Sequence, residues 1–203
     1  MNNEIKMSAV ILAGGQARRM NGQDKGLILY HDRPLVTYAL EAVNNVCEDV
    51  MISANRNLSQ YQSLGYRVVS DQYTGFNGPL AGIQSAMIAA KEPYLLVLPC
   101  DSPLIAKTDV LRLKNALINH LDRLDLVIAH DGQRPYPVFM AVKTQLKTHL
   151  ADYLNQGQRK LMLWCQQQRM DTVDFSHQLQ ALENINTPDA LKAMHRGNHS
   201  MPH

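Results

Sequence analysis

The residues best equipped for chemistry cluster near the start of the chain, in Val10-Ile11-Leu12-Ala13-Gly14-Gly15-Gln16-Ala17-Arg18-Arg19-Met20 followed by Asp24-Lys25-Gly26. Paired glycines let the backbone turn and approach a ligand closely, and the peptide N–H groups of such a turn hydrogen-bond phosphate oxygens. The cations that follow offset the concentrated negative charge of a nucleoside triphosphate. Lys25 and Arg19 are the candidates for its β- and γ-phosphates, with Arg18 a third cation in the same loop. Lysine acts as a mobile point charge, whereas arginine grips phosphate through two donors. Two familiar phosphate loops are excluded on spacing. A Walker A lysine precedes serine or threonine, but Gly26 follows Lys25, and the adjacent glycines do not make G-x-G-x-x-G. An ordinary turn with solvated arginines would leave this gathering of charge around Gly14 and Gly15 unexplained.

Asp101 is the first candidate for catalysis, because it follows the apolar run Tyr94-Leu95-Leu96-Val97-Leu98 almost directly. A lone carboxylate just past a buried strand suits Mg²⁺, which keeps most of its waters and takes phosphate oxygens for the rest. The position also suits a helix cap or a loop hydrogen bond. Cys100 has no basic partner visible in sequence and reads as a small buried residue.

The elements that must position these groups alternate. Apolar runs at 7–13, 49–54, 66–69, 94–98 and 126–129 predict strands of the buried, parallel kind. Between them, helical spacing predicts helices after Pro34, near 58–64, from Gly78 to Ala90 and around 109–121. This pattern implies an α/β chain with a mostly parallel sheet covered on both faces. Ligands in such sheets bind outside the carboxyl ends of the strands. Gly14–Lys25, Asn55, Asp71 and Asp101 all fall at such ends, which predicts one shared site. The later third differs. A turn-rich loop at 130–137 precedes a strand at 138–142, a helix at 144–155 and a second helix at 161–165. A last short strand is expected around Val173 and Phe175, after which Leu182–Asn186 returns toward the sheet and Thr187-Pro188 starts a helix.

With 203 residues and 45% hydrophobic content, the chain can bury one good core and is expected to form one domain, without repeats or linkers. Its formal charge of +2, without long basic runs, disfavours a nucleic-acid partner. Cys47, Cys100 and Cys165 are odd in number and unpaired in spacing, which suits a reducing cytosol. No apolar run reaches bilayer length and the polar opening residues carry no signal-peptide core, so a cytoplasmic protein off the membrane is expected. The tail after Arg196 reads as flexible, and His195, His199 and His203 lack the folded frame and fourth ligand of a zinc site.

L-A-G-G-x-A-R-R-M followed by D-K-G resembles the signature of the molybdopterin nucleotidyltransferase family, whose members attach a nucleotide to the molybdenum cofactor. The likeness is greatest to the guanylyl-transferring members and runs in matching order from about Met7 to Met194. It implies a three-layer αβα Rossmann-like nucleotidyltransferase fold, with a nucleotide-binding part over about 7–130 and a molybdopterin-binding part over about 131–195. It further implies GTP and molybdenum–molybdopterin as substrates, Asp101 holding Mg²⁺, and Lys25 and Arg19 on the departing pyrophosphate. Leu12, Ala13 and Gly14 would read guanine through backbone C=O and N–H groups, with Gly15, Ser53, Asn55, Asp71, Gly78 and Gly82 completing the nucleotide pocket. Asn55 serves equally well as a turn former, and Gly78-Pro79-Leu80-Ala81-Gly82 as a plain helix start with small packing residues. The family often has asparagine at the Ser53 position, so the hydroxyl there departs from its pattern.

Arg134, Arg159, Lys160, Asn184 and Asn186 resemble the segments with which the family holds the terminal phosphate and pterin of molybdopterin. Asn186 also sits just before a helix cap. Transient contacts with other molybdenum-cofactor synthesis proteins and recipient apo-enzymes follow from the likeness, and a monomer is expected. The alternatives are a cytidylyltransferase for the same cofactor and a nucleotide-binding cofactor carrier without chemistry. A sugar-1-phosphate nucleotidyltransferase fits the opening loop but not Arg134 and Asn184–Asn186.

Overall fold

In the computed structural model the described residues are 5–15, 23–72 and 78–186. Arg18, Arg19, the Thr187-Pro188 helix start and the three tail histidines lie outside them.

Strand β1 (Ser8–Leu12) leads toward the glycine turn. Beyond Lys25, the short strands β2 (Leu29–Tyr30) and β3 (Arg33–Pro34) pair antiparallel and feed helix α1 (Leu35–Val43). Pro34 caps α1 in extended conformation (φ −55°, ψ 136°) instead of occupying its first turn, because it is still paired with Leu29. Then follow β4 (Asp49–Ser53), α2 (Leu58–Gln62), β5 (Arg67–Val69), α3 (Pro79–Ala89), β6 (Tyr94–Pro99) and α4 (Lys107–Ile118). The later third comprises β7 (Leu126–His130), β8 (Pro135–Lys143), α5 (Lys147–Asn155), α6 (Leu161–Cys165) and β9 (Met170–Asp174). Strand β8 begins at Pro135, inside the stretch expected to be a loop.

Seven strands form one sheet in the order β5-β4-β1-β6-β8-β7-β9, and only β8 runs against the rest. The period-2 alternation of strand side chains sorts the apolar residues into two cores. Ala9, Ile11, Ile52, Leu96, Leu98 and Val127 face one, where Val36, Leu40, Val110 and Leu113 of α1 and α4 pack. Val10, Met51, Leu95, Val97, Leu126 and Ile128 face the other, covered by α3, α5 and α6 through Leu80, Ile83, Leu150 and Trp164. Helices therefore cover both faces of the sheet, in three αβα layers. Among the described residues, no helix is long and apolar enough to cross a membrane.

The register sets the site. Leu12 pairs with both Ser53 and Pro99, and Ser53 with Val69, so β1, β4, β5 and β6 end level. The chain order reverses at β1, which has β4 on one side and β6 on the other, and crevices form at such switch points. The last described segment crosses this same edge. Ile185 packs with Tyr30 and Leu35, and its N–H donates to the Asp101 carbonyl at 2.8 Å.

Candidate active site

At the level strand ends lies a cleft of about 290 Å³, lined by Leu12, Ala13, Gly14, Gly15, Lys25, Ser53, Asp71, Gly78, Gly82 and Asp101 among others. With Asn184, eleven residues singled out from sequence thus meet in one place. The Ala13 N–H donates to the Ser53 carbonyl at 2.8 Å and the Cys100 N–H to the Leu12 carbonyl at 3.1 Å, extending the sheet ladder to the rim. Gly82 faces the end of the sheet so closely that a Cβ would stand 2.6 Å from Ser53 Oγ and 3.2 Å from Leu12 Cδ2. Gly78 precedes α3 at φ 62°, ψ −156°, a region open essentially to glycine alone, and Pro79 then starts the helix.

Lys25 and Asp101 are 76 residues apart yet meet with Nζ 2.5 Å from Oδ2. Asn186 Oδ1 lies 2.5 Å from the same ammonium. Two hard oxygens therefore converge on one cation, the Lys25 ammonium. That donor set fits Mg²⁺, which needs few protein ligands when phosphates and water supply the rest. Among the described residues no group of three His, Cys, Asp or Glu side chains is arranged to hold a metal, so this site is not an all-protein cage. Asn186, expected on the pterin side, meets the Lys25–Asp101 cluster, where the Ile185–Asp101 backbone bond carries it. Asn184 lines the same cleft and accepts the Ser102 hydroxyl at 2.5 Å.

At the opposite end, Asp71 has one buried carboxylate oxygen without a hydrogen-bond partner among the described residues, and burial raises the carboxyl pKa. Asn55 counteracts that shift, donating from Nδ2 to Asp71 Oδ2 at 2.8 Å while its Oδ1 accepts the Asp71 N–H at 2.9 Å. Asn55 does not itself line the cleft. It stands behind Asp71 and against Gly14, where a Cβ would come within 3.1 Å of its Nδ2. The free oxygen of Asp71 is an acceptor suited to N–H donors on a base edge.

The remaining cations are placed differently. Arg134 is exposed on the β7–β8 turn, fixed by Asp131 Oδ2 (3.2 Å) and Tyr136 Oη (2.8 Å) and stacked over the Tyr136 ring. Backbone N–H groups of Arg134 and Gln133 hold the Asp131 carboxyl down at a pKa of about 2, so it stays ionised. Strand β7 runs parallel to β6, which puts this turn on the same side of the sheet as the cleft. Arg159 and Lys160 do not line the cleft. The Arg159 guanidinium donates to the carbonyls of Leu154 and Gln158 at the end of α5, which gives it a capping role.

Sequence reasoning missed three residues here. Arg56 donates to the Gly15 carbonyl at 3.1 Å, while Tyr61 and Asn57 both bind Asp24, beside Lys25. The only local signal for Tyr61 is a large amphipathic residue in an otherwise polar helix.

Residues 9–172 match the model of the MobA-like NTP transferase domain. The chain is 44% identical over 182 residues to the molybdenum cofactor guanylyltransferase of Pasteurella multocida, an alignment covering 90% of this chain and 95% of that protein. It is 41% identical over 184 residues to the enzyme of the same name from Shewanella halifaxensis, covering 91% of each. Among solved structures, molybdopterin-guanine dinucleotide biosynthesis protein A from Archaeoglobus fulgidus superposes with a TM-score of 0.78 at 22% identity, covering 96% of this chain and all of that one. The 4-diphosphocytidyl-2C-methyl-D-erythritol synthase from Anaerococcus prevotii superposes with a TM-score of 0.71 at 14% identity, covering 96% and 99%. At these identities both structures speak for the fold.

Proposed function

The chain belongs to the MobA-like NTP transferase family, and from that membership we propose that it transfers GMP from GTP to molybdenum–molybdopterin, forming the guanine dinucleotide and releasing pyrophosphate. The choice of guanine and of the acceptor is supported by the names of its curated relatives. The observation that carries the chemistry is the meeting of Lys25, Asp101 and the Gly14–Gly15 turn in one cleft.

The terminal phosphate of molybdopterin attacks the α-phosphorus of GTP, and pyrophosphate leaves in line. A phosphate is already anionic at neutral pH, so the protein needs no general base, only orientation and charge neutralisation. With the Leu12 carbonyl and the Ala13 N–H taken up by Cys100 and Ser53, the Ala13 carbonyl and the Gly14 peptide are the backbone groups of this turn that would read the base, and Asp71 offers its unpartnered oxygen to the guanine N1–H and N2–H. Lys25, with Arg19 of the same sequence signature, takes the charge of the departing pyrophosphate. Asp101 would hold Mg²⁺, with the Asn186 carbonyl oxygen beside it, and the ion supplies charge neutralisation at the phosphates. Arg134, already ordered by Asp131 and Tyr136, and Asn184 serve the acceptor side. Calorimetric titration with GTP, CTP and ATP in the presence of Mg²⁺ tests the nucleotide choice. Binding of GTP alone is expected, whereas a preference for CTP would refute the guanylyl reading and leave the cleft standing.

A further inference from the structure

Lys25 is held from behind. It opens a single turn of 3-10 helix, Lys25–Leu27, closed by the Leu27 N–H on the Asp24 carbonyl at 3.0 Å. The Asp24 side chain is buried and accepts two hydrogen bonds, from the Tyr61 hydroxyl on Oδ1 (2.5 Å) and from Asn57 Nδ2 on Oδ2 (3.0 Å). Tyr61 on α2 is fully buried, and its hydroxyl lies only 2.5 Å from where a Cβ on residue 26 would sit. A single phenol is therefore wedged against both sequence neighbours of Lys25. Neither Tyr61 nor Asp24 lines the cleft.

A buried hydroxyl and a buried carboxylate each require a partner, and here each supplies the other's. Burial, and after it the hydrogen bond to Asp24, raises the phenol above its ordinary range, which keeps Tyr61 a donor at neutral pH. The lysine stem has several free rotors, so its ammonium is only as well placed as the backbone beneath it. Small displacements at a reacting centre are costly, about 100-fold in rate for 1 Å.

We infer that Tyr61 and Asp24 are positioning residues for Lys25, so that α2, which contributes no residue to the cleft lining, fixes where the ammonium meets the departing phosphates. The inference rests on the reading of Lys25 as the pyrophosphate cation. A double-mutant cycle tests it with Tyr61→Phe, Lys25→Ala and the double variant, each confirmed as folded by circular dichroism. The readouts are kcat, KM and the calorimetric Kd for GTP with Mg²⁺. Tyr61→Phe is expected to lower kcat about tenfold while changing the Kd for GTP less than about threefold, and to have almost no further effect once Lys25 is alanine. Asn57→Gly, which the left-handed backbone at this position (φ 50°) accommodates, removes one of the two bonds to Asp24 and gives a smaller loss of the same kind should Tyr61→Phe not fold. A lowered melting temperature with unchanged kcat and KM would overturn the inference, as would a full multiplicative loss in the Lys25→Ala background. Unaltered kinetics in Lys25→Ala alone would overturn the pyrophosphate role itself, and the inference with it.

Discussion

Gly82→Ala tests the close approach of α3 to the sheet. Alanine in a helix interior is favoured over glycine by about 0.8–1 kcal/mol, so an unhindered substitution would stabilise the protein. Here the methyl group would stand 2.6 Å from Ser53 Oγ and 3.2 Å from Leu12 Cδ2, and Ser53 is itself only 1% exposed and unable to retreat to solvent. Overpacking of this kind costs about 1–3 kcal/mol. The balance is a net loss of about 1 kcal/mol, which for a chain of this size lowers Tm by about 2–4 °C. The nucleotide site should suffer more than the fold, because Leu12, Ser53 and Gly82 all line the cleft. GTP affinity is expected to fall about tenfold, a loss of 1.4 kcal/mol. In a Ser53→Ala background the 2.6 Å contact disappears, leaving Leu12 Cδ2 at 3.2 Å and the residue-53 Cβ at 3.5 Å. There, adding Gly82→Ala should leave Tm unchanged or raise it. Differential scanning calorimetry and GTP titration on the four proteins decide the matter. A raised Tm and intact GTP affinity for Gly82→Ala alone would refute the reasoning.

Asp101→Ala should reduce turnover about 10³-fold, measured as pyrophosphate release, while the far-ultraviolet circular dichroism stays that of the parent. Near-normal turnover would remove Asp101 from the chemistry. Away from the site, Asp125 receives a forked bond from Arg169 (Nη2 to Oδ1 at 2.7 Å, Nε to Oδ2 at 2.9 Å) and a third from Lys143 at 3.3 Å. The Arg169 hydrogen bond, more than any other cause, holds its pKa at about 2, below the ordinary 3.8. The carboxylate therefore contributes stability, about 1–2 kcal/mol, that is present above pH 4 and lost as pH falls through about 2. Asp125→Asn should be less stable than the parent in urea at pH 7, with the gap closing toward pH 2. A gap independent of pH would contradict the pairing.

The parts of this structure legible in sequence are those encoded locally. Val10–Ala13 and Leu95–Leu98 are apolar on both faces because both faces are covered, and the glycine turn and Asp101 follow their strands directly. Pro135 and Pro137 argued for a loop, yet β8 already pairs there, beyond a shift in register between Ile128 and Ala129 that eases the constraint. Strand β9 lies at the sheet edge and is largely exposed, so its residues carry little apolar pattern beyond Val173. Contacts across long spans leave no local trace at all. The meeting of Lys25 with Asn186, 161 residues away, depends on where Ile185 docks, which no local pattern encodes. The Tyr61–Asp24 bond is invisible for the same reason, as are the carbonyls of Leu154 and Gln158 that receive the Arg159 guanidinium.

The α-phosphate of GTP reports directly on the proposed nucleotidyl transfer. The protein would be incubated with molybdenum–molybdopterin, Mg²⁺ and GTP radiolabelled at the α-phosphorus, with matched reactions containing labelled CTP. Label is expected in the pterin dinucleotide, with one pyrophosphate released per label transferred, from GTP and not from CTP. Label arriving from CTP instead, or GTP held tightly with no pyrophosphate released, would contradict guanylyl transfer.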